Sequence, residues 1–126
     1  MKLYYAKPSP YARRDRVLLR ERGLVSRVDE IDTAPWDSPA ELLAVSPTSK
    51  VPALVLDDGT TLTESALEAV APLPPAPSYA HIVLGVGLGY LDFRVSSIDW
   101  RSGQPGLAQW CAAFAQRDAM RATAPD

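Results

Sequence analysis

Four prolines fall within the six residues Pro72-Leu73-Pro74-Pro75-Ala76-Pro77, and neither a helix nor a central strand can run through them. Such a run favours an extended, stiff connector over packed structure. It divides the chain into an amino-terminal stretch, residues 1–71, a connector, residues 72–78, and a carboxy-terminal stretch, residues 79–126. Each stretch has its own periodicity.

In the first stretch, Lys2-Leu3-Tyr4-Tyr5-Ala6 reads as a strand and Lys7-Pro8-Ser9 as a turn into a helix over Tyr11 to Arg22, with Gly23 at its stop. Arg27 to Ile31 follows as a weaker strand, with Val28 and Ile31 pointing inward. Ser38-Pro39-Ala40-Glu41 has the form of a capping box opening a second helix that Ser46-Pro47 ends. Val51 to Leu56 and Thr60-Thr61-Leu62 flank Asp57-Asp58-Gly59 and read as a hairpin. Ser65-Ala66-Leu67-Glu68 is a second capping box, for a short third helix that Pro72 closes. The order β-α-β-α-β-β-α implies an α/β fold, a mixed sheet with helices on both faces.

Beyond the connector, Tyr79, Ile82, Val83, Val86, Tyr90 and Phe93 recur at helical spacing behind Ser78 as a cap. Gly85, Gly87 and Gly89 lie inside that helix with no strand before them, so close helix packing explains them better than a nucleotide loop. A last helix from Pro105 to about Arg117 puts Leu107, Trp110, Cys111 and Phe114 on one stripe. The carboxy-terminal stretch is therefore a short all-α segment of about two helices. His81, the sole histidine, falls in a first turn and reads as a cap or surface residue.

Composition excludes several classes. The chain is 126 residues long, 47% hydrophobic, with a net charge of -2, so nothing draws it in general toward nucleic acid or an anionic membrane. Arg13, Arg14, Arg16, Arg20 and Arg22 cluster on one helix, which reads as a solvated face or a local attraction for an anion. One cysteine, Cys111, excludes an intrachain disulfide and reads as core. One histidine and one cysteine are too few for a metal site. No apolar run approaches the ~20 residues that cross a bilayer, and the start, broken at Lys7 and Pro8, is no secretion signal. A cytoplasmic setting is the default expectation.

Ser9 is the candidate site residue that the residues themselves offer. Pro10 lacks an N–H and suits the first helical position, which leaves Ser9 as N-cap. The unpaired N–H groups of that turn also favour negative charge near Ser9, and a thiolate would suit the place. Simple capping and anion holding both remain open on these grounds.

Taken together, Ser9-Pro10-Tyr11, Val51-Pro52 and Glu64-Ser65 resemble the bacterial, serine-type members of the glutathione S-transferase family, whose amino-terminal domain is thioredoxin-like. Pro74-Pro75-Ala76-Pro77 to Pro125, with Gly89-Tyr90-Leu91-Asp92-Phe93-Arg94 and Leu107-Ala108-Gln109-Trp110, is similar to the end of the family's helical domain. The resemblance implies a catalytic role for Ser9, which would hydrogen-bond the sulfur of glutathione and favour its thiolate. It implies glutathione binding by Ser9, Tyr11, Lys50, Val51, Pro52, Glu64 and Ser65. Pro52 matches a cis proline that presents the backbone of Val51 as an added strand. Glu64 and Ser65 match the pair that receives the γ-glutamyl end. Lys50, beside Val51, is within reach of the glycyl carboxylate. Glutathione would be a co-substrate, with no external cofactor and a small electrophile as second partner.

The family pattern breaks after Ser65, where Ala66-Leu67-Glu68-Ala69-Val70-Ala71-Pro72 resembles the end of a much later helix. An internal segment that includes most of two long helices is expected to be missing. The two remaining helices would then expose Tyr79, Ile82, Val86 or Trp110 and favour a homodimer, with carboxy-terminal helices exchanged between copies. The alternative function is a non-catalytic binding or interaction module that lost its electrophile pocket. A glutaredoxin-like exchanger fails for want of a cysteine at position 9.

Overall fold

A computed structural model of the chain describes residues 1–63 and 77–125. The elements are β1 (Lys2–Tyr5), α1 (Pro10–Glu21), β2 (Asp29–Asp32), α2 (Ala40–Val45), β3 (Ala53–Val55), β4 (Thr61–Thr63), α3 (Tyr79–Arg94), α4 (Trp100–Gly103), α5 (Pro105–Ala115) and α6 (Asp118–Arg121). Short 3-10 turns occupy Val25–Arg27 and Pro35–Asp37. The helix expected from Ser65, and connector residues 72–76, lie outside the described residues.

The sheet has the order β2-β1-β3-β4. β1 and β2 are parallel, while β3 runs antiparallel to β1 and β4 antiparallel to β3. Alternation along the strands sorts the core into two. Leu3 pairs with Leu54, and both belong to a cluster with Val17, Leu18, Ile82, Val86 and Phe114. Tyr4 pairs with Ala53, and both turn the other way, toward Leu42, with Ile31, Val45 and Val51 around them. α1 and the carboxy-terminal helices thus cover one face and α2 the other, a thioredoxin-like α/β arrangement followed by a short helical part.

Several local expectations change. β2 starts two residues later than expected, because a 3-10 turn takes up Val25–Arg27 and the Asp29 N–H reaches the Met1 carbonyl. Val28 and Ile31 do face inward, on opposite sides of the sheet. Ser38 does not cap α2. It ends the preceding 3-10 turn in the left-handed region, at φ 45°, and Pro39 takes the N-cap position with no side-chain cap. The turn at Pro35–Asp37 consumes the conformation that a capping serine would need.

The arginines of α1 are not a solvated face. Arg13 and Arg16 are buried, and Arg13 Nη2 donates to the Met120 carbonyl at 3.2 Å. Arg16 lies over the Tyr5 ring at 4.0 Å and donates to Glu30 at 3.0 Å. Arg20 grips both oxygens of the same carboxylate, at 2.8 and 2.6 Å. Burial pushes the Glu30 carboxyl up, but the hydrogen bonds from Arg20 and Arg16 outweigh it and hold the group below its ordinary range.

The carboxy-terminal helices also pack more fully than expected. Ile82 and Val86 are 0% and 2% exposed, because α1 and α5 supply partners, and Tyr79 and Trp110 are half-buried. Trp110 stacks on Phe114 with centroids 4.9 Å apart. Phe114 in turn lies where a side chain on Gly85 would sit, at 2.4 Å from an added Cβ. Gly85 is a close helix contact, as expected of the glycines, whereas Gly87 faces open space. Ser78 caps α3 in a reciprocal box with His81, which is exposed. The last expected helix ends at Ala115, and α6 follows as a separate turn. α4 was not foreseen; Asp92 fixes it by accepting from Trp100 Nε1 at 3.0 Å and from both Arg101 nitrogens at 2.6 Å.

Candidate functional site

Ser9 sits at the head of α1 with an extended backbone, and its Oγ accepts from the Ala12 N–H at 3.2 Å. Pro10 occupies the first helical position. The cap uses an oxygen lone pair and leaves the hydroxyl hydrogen to donate. A half-buried hydroxyl at a helix N-terminus can therefore cap the helix and hold an anion together. The two readings of Ser9 do not compete.

The neighbouring wall is built by the loop that leads into β3. Ser46, 1% exposed, accepts from the Lys50 N–H at 3.1 Å. Ser49 adopts φ 52°, a left-handed conformation uncommon for a residue with a side chain. Its Oγ donates to the Pro35 carbonyl at 2.7 Å, which ties this loop to the 3-10 turn beside it. The Val51–Pro52 peptide bond that follows is cis.

Between these walls lies an open cleft of about 990 Å³, within the size range of small-molecule sites. Ser9, Tyr11, Lys50, Val51 and Pro52 all line it, so five positions spread over forty residues of sequence converge. Glu64 and Ser65 lie outside the described residues. The structure adds residues that sequence reasoning missed as site residues: Arg14 from α1, Trp36 from the 3-10 turn, and Tyr90 and Arg94 from α3. Trp36 is 91% exposed. Tyr90 and Arg94 had a readable signal, since a spacing of four puts them on one helix face. A second cavity, about 690 Å³, lies between α1 and α6, but its ionic groups are partly satisfied by the Glu21–Arg117 pair.

The described charge of the cleft is of one sign. Among its described lining residues are Lys50, Arg14 and Arg94, and no carboxylate. Arg14 lies near the rings of Tyr11 and Tyr79, at 5.6 and 5.4 Å, and its buried Nε has no hydrogen-bond partner among the described residues. Cys111 belongs elsewhere: burial and then the Asp92 charge push its thiol up, away from thiolate character. Among the described residues no cluster of His, Cys, Asp and Glu could hold a metal ion. No described helix is long and apolar enough to cross a membrane.

A β-α-β-α-β-β sheet of order β2-β1-β3-β4, with helices on both faces and a serine at the head of its first helix, has the thioredoxin-like architecture. Residues 8–67 match the family model for the glutathione S-transferase N-terminal domain. This part of the chain is therefore a glutathione S-transferase N-terminal domain by sequence, and the whole chain shares the fold of solved members of that family. Among solved structures, a glutathione transferase family member from Pseudomonas fluorescens Pf-5 with bound glutathione is 25% identical, at a TM-score of 0.88 over 99% of this chain and 98% of that one. A glutathione S-transferase from Methylobacillus flagellatus with glutathione bound is 24% identical, at 0.84 over 99% of each chain. One from Methylobacterium radiotolerans, in complex with glutathione sulfonate, is 22% identical, at 0.83 over 98% of this chain and 94% of that one. No curated protein matches the sequence.

Proposed function

We propose that the chain binds glutathione in the Ser9 cleft and transfers it, as the thiolate, to an electrophilic carbon. The observation that carries this reading is the convergence of Ser9, Lys50, Val51 and Pro52 on one cleft. It is supported by the bound glutathione of the Pseudomonas relative. Ser9 donates its hydroxyl hydrogen to the sulfur while Oγ keeps the cap, and the α1 N-terminus adds favourable potential. Val51 offers its backbone as a strand partner to the peptide, and Lys50 approaches the glycyl carboxylate. Glu64 and Ser65 take the γ-glutamyl end. In the reaction with an aryl halide, the S–C bond forms and the carbon–halogen bond breaks. The halide leaves with the bonding pair and the thiol proton passes to solvent. No external cofactor enters.

On this reading residues 1–71 form the glutathione-binding unit and 79–126 a shortened helical one, joined by 72–78, in a cytoplasmic homodimer. Val83 and Leu84, exposed on α3, favour self-association, and a monodisperse monomer in dilute light scattering would count against it. Calorimetric titration with glutathione followed by a conjugation assay with 1-chloro-2,4-dinitrobenzene tests the function. Binding with turnover is expected, and Ser9→Ala should lower turnover more than binding. Binding without turnover would favour a non-catalytic module of the same fold, the reading that the expected missing segment supports.

A further inference from the structure

A positive φ is unfavourable for a residue with a side chain, and among the described residues it occurs at four positions. Gly23 and Gly59 take two of them, and neither lines the cleft. Ser38 and Ser49 take the other two, at φ 45° and 52°, and both line it. The two serines also meet at one atom. The Pro35 carbonyl oxygen accepts from the Ser38 N–H at 3.2 Å and from the Ser49 Oγ at 2.7 Å, which occupies both of its lone pairs. Glycine would hold the left-handed backbone of position 49 without strain, so the bond to Pro35 is what the serine adds.

That bond joins two loops whose partners are 14 residues apart in sequence. One loop carries the 3-10 turn with Trp36, and the other leads to Val51, two residues beyond Ser49. Val51 makes no backbone hydrogen bond to other described residues. β3 holds the chain after it. Before it, the Ser49 and Lys50 N–H groups donate to the carbonyl and Oγ of Ser46, at 2.8 and 3.1 Å, and Ser49 Oγ anchors this small turn to Pro35.

Resting on the glutathione reading above, we propose that Ser49 is a positioning residue for glutathione: its bond to Pro35 fixes the loop so that the Val51 backbone meets the peptide as a ready-formed edge. Glutathione then need not order that loop when it binds.

Two substitutions at one position test this. Ser49→Gly keeps the left-handed backbone and removes the hydroxyl, whereas Ser49→Asn tolerates the same backbone and supplies a side-chain N–H donor. Glutathione affinity of the full chain is measured by calorimetric titration, beside thermal melts. Ser49→Gly should bind glutathione about fivefold more weakly, the equivalent of one ordinary hydrogen bond. It should melt no more than about 5 °C below the parent, since relief of strain offsets part of the lost bond. Ser49→Asn should recover at least part of the affinity. A glycine variant that binds as tightly as the parent overturns the proposal, and so does an asparagine variant that binds no better than the glycine one. Absent binding in the parent is a different result, which overturns the glutathione reading itself and this proposal with it.

Discussion

On the proposed function Ser9 adds a chemical role to its cap, and two substitutions separate the two. Ser9→Ala removes the bond to the Ala12 N–H at 3.2 Å and should destabilise the chain by about 1 kcal/mol, whereas glycine at a cap costs only a few tenths, roughly 0.3 kcal/mol. For a chain of this length the alanine variant should melt about 3–5 °C lower and the glycine variant about 1 °C lower. Both variants lose the hydroxyl donor equally. A hydrogen bond to a charged acceptor is worth about 1.5–3 kcal/mol, and sulfur accepts weakly, so the lower end applies. That is about one pKa unit. A free thiol titrates near about 8.5, and in the parent the bound thiol should titrate about one unit below its value in either variant. The sign follows: loss of the donor raises the thiol pKa, so turnover falls about tenfold at acidic to neutral pH and recovers as pH rises past the new value. The assay is kcat/KM for an aryl halide as a function of pH, beside thermal melts. Equal kinetic losses in the two variants with unequal melting temperatures are expected. If activity instead follows stability, with alanine worse than glycine and no movement of the pH profile, Ser9 is a cap and nothing more.

Gly85→Ala and Gly87→Ala share any gain in helix propensity, up to about 1 kcal/mol, but an added Cβ at Gly85 meets Phe114 at 2.4 Å and one at Gly87 meets nothing within 4 Å. Gly85→Ala should be less stable than Gly87→Ala by about 1–3 kcal/mol in urea titrations, and equal stabilities would contradict the α3–α5 packing. The depressed Glu30 carboxyl contributes stability that is present above the unfolded pKa and is lost as pH falls through the folded one. The parent should therefore lose more of its urea midpoint than Glu30→Gln between about pH 5 and about pH 3. At neutral pH Glu30→Gln should itself cost about 1–3 kcal/mol, because Arg16 and Arg20 keep their charge and lose its partner. Leu42→Ala, at 0% exposed in the smaller core, should cost about 2–5 kcal/mol by chemical denaturation.

Strand alternation, the hairpin at Asp58-Gly59 and the caps at Ser9 and Ser78 were legible because each rests on residues close in sequence. Ser38 misled for the same reason. Its capping-box spacing was correct locally, but the turn at Pro35–Asp37 and the Ser49 bond to Pro35 claim that backbone from outside the motif. The arginines of α1 misled more deeply. Amphipathic spacing assumes that charge marks the solvent side, and here α6 supplies a carbonyl to Arg13 from 107 residues away, while Glu30 on β2 takes Arg16 and Arg20. Only the fold brings those partners close. The near wall of the cleft, Ser9 with Lys50 to Pro52, was readable through motif resemblance. Tyr90 and Arg94 on the far wall were overlooked, because Tyr90 counted as one more apolar position in a helical stripe, and Trp36 was missed because it had no periodicity around it.

The two walls are nevertheless one construction. α1 carries Ser9 at its N-terminus and packs along α3, where Ile82 and Val86 enter the shared core. An added Cβ on Gly89 would lie 3.0 Å from Arg13 Nη1, so the approach of α3 to α1 at that level depends on the missing side chain. Tyr90 is the next residue and Arg94 one turn further on. The placement of the α3 backbone at Tyr90 and Arg94 relative to Ser9 is therefore set by helix packing and not by a flexible loop. A bulkier residue at Gly89 would push α3 away from Arg13 and shift the Tyr90–Arg94 wall without touching Ser9. Gly89→Val should then lower turnover of 1-chloro-2,4-dinitrobenzene more than binding of glutathione. The opposite order would mean that α3 does not position the second wall.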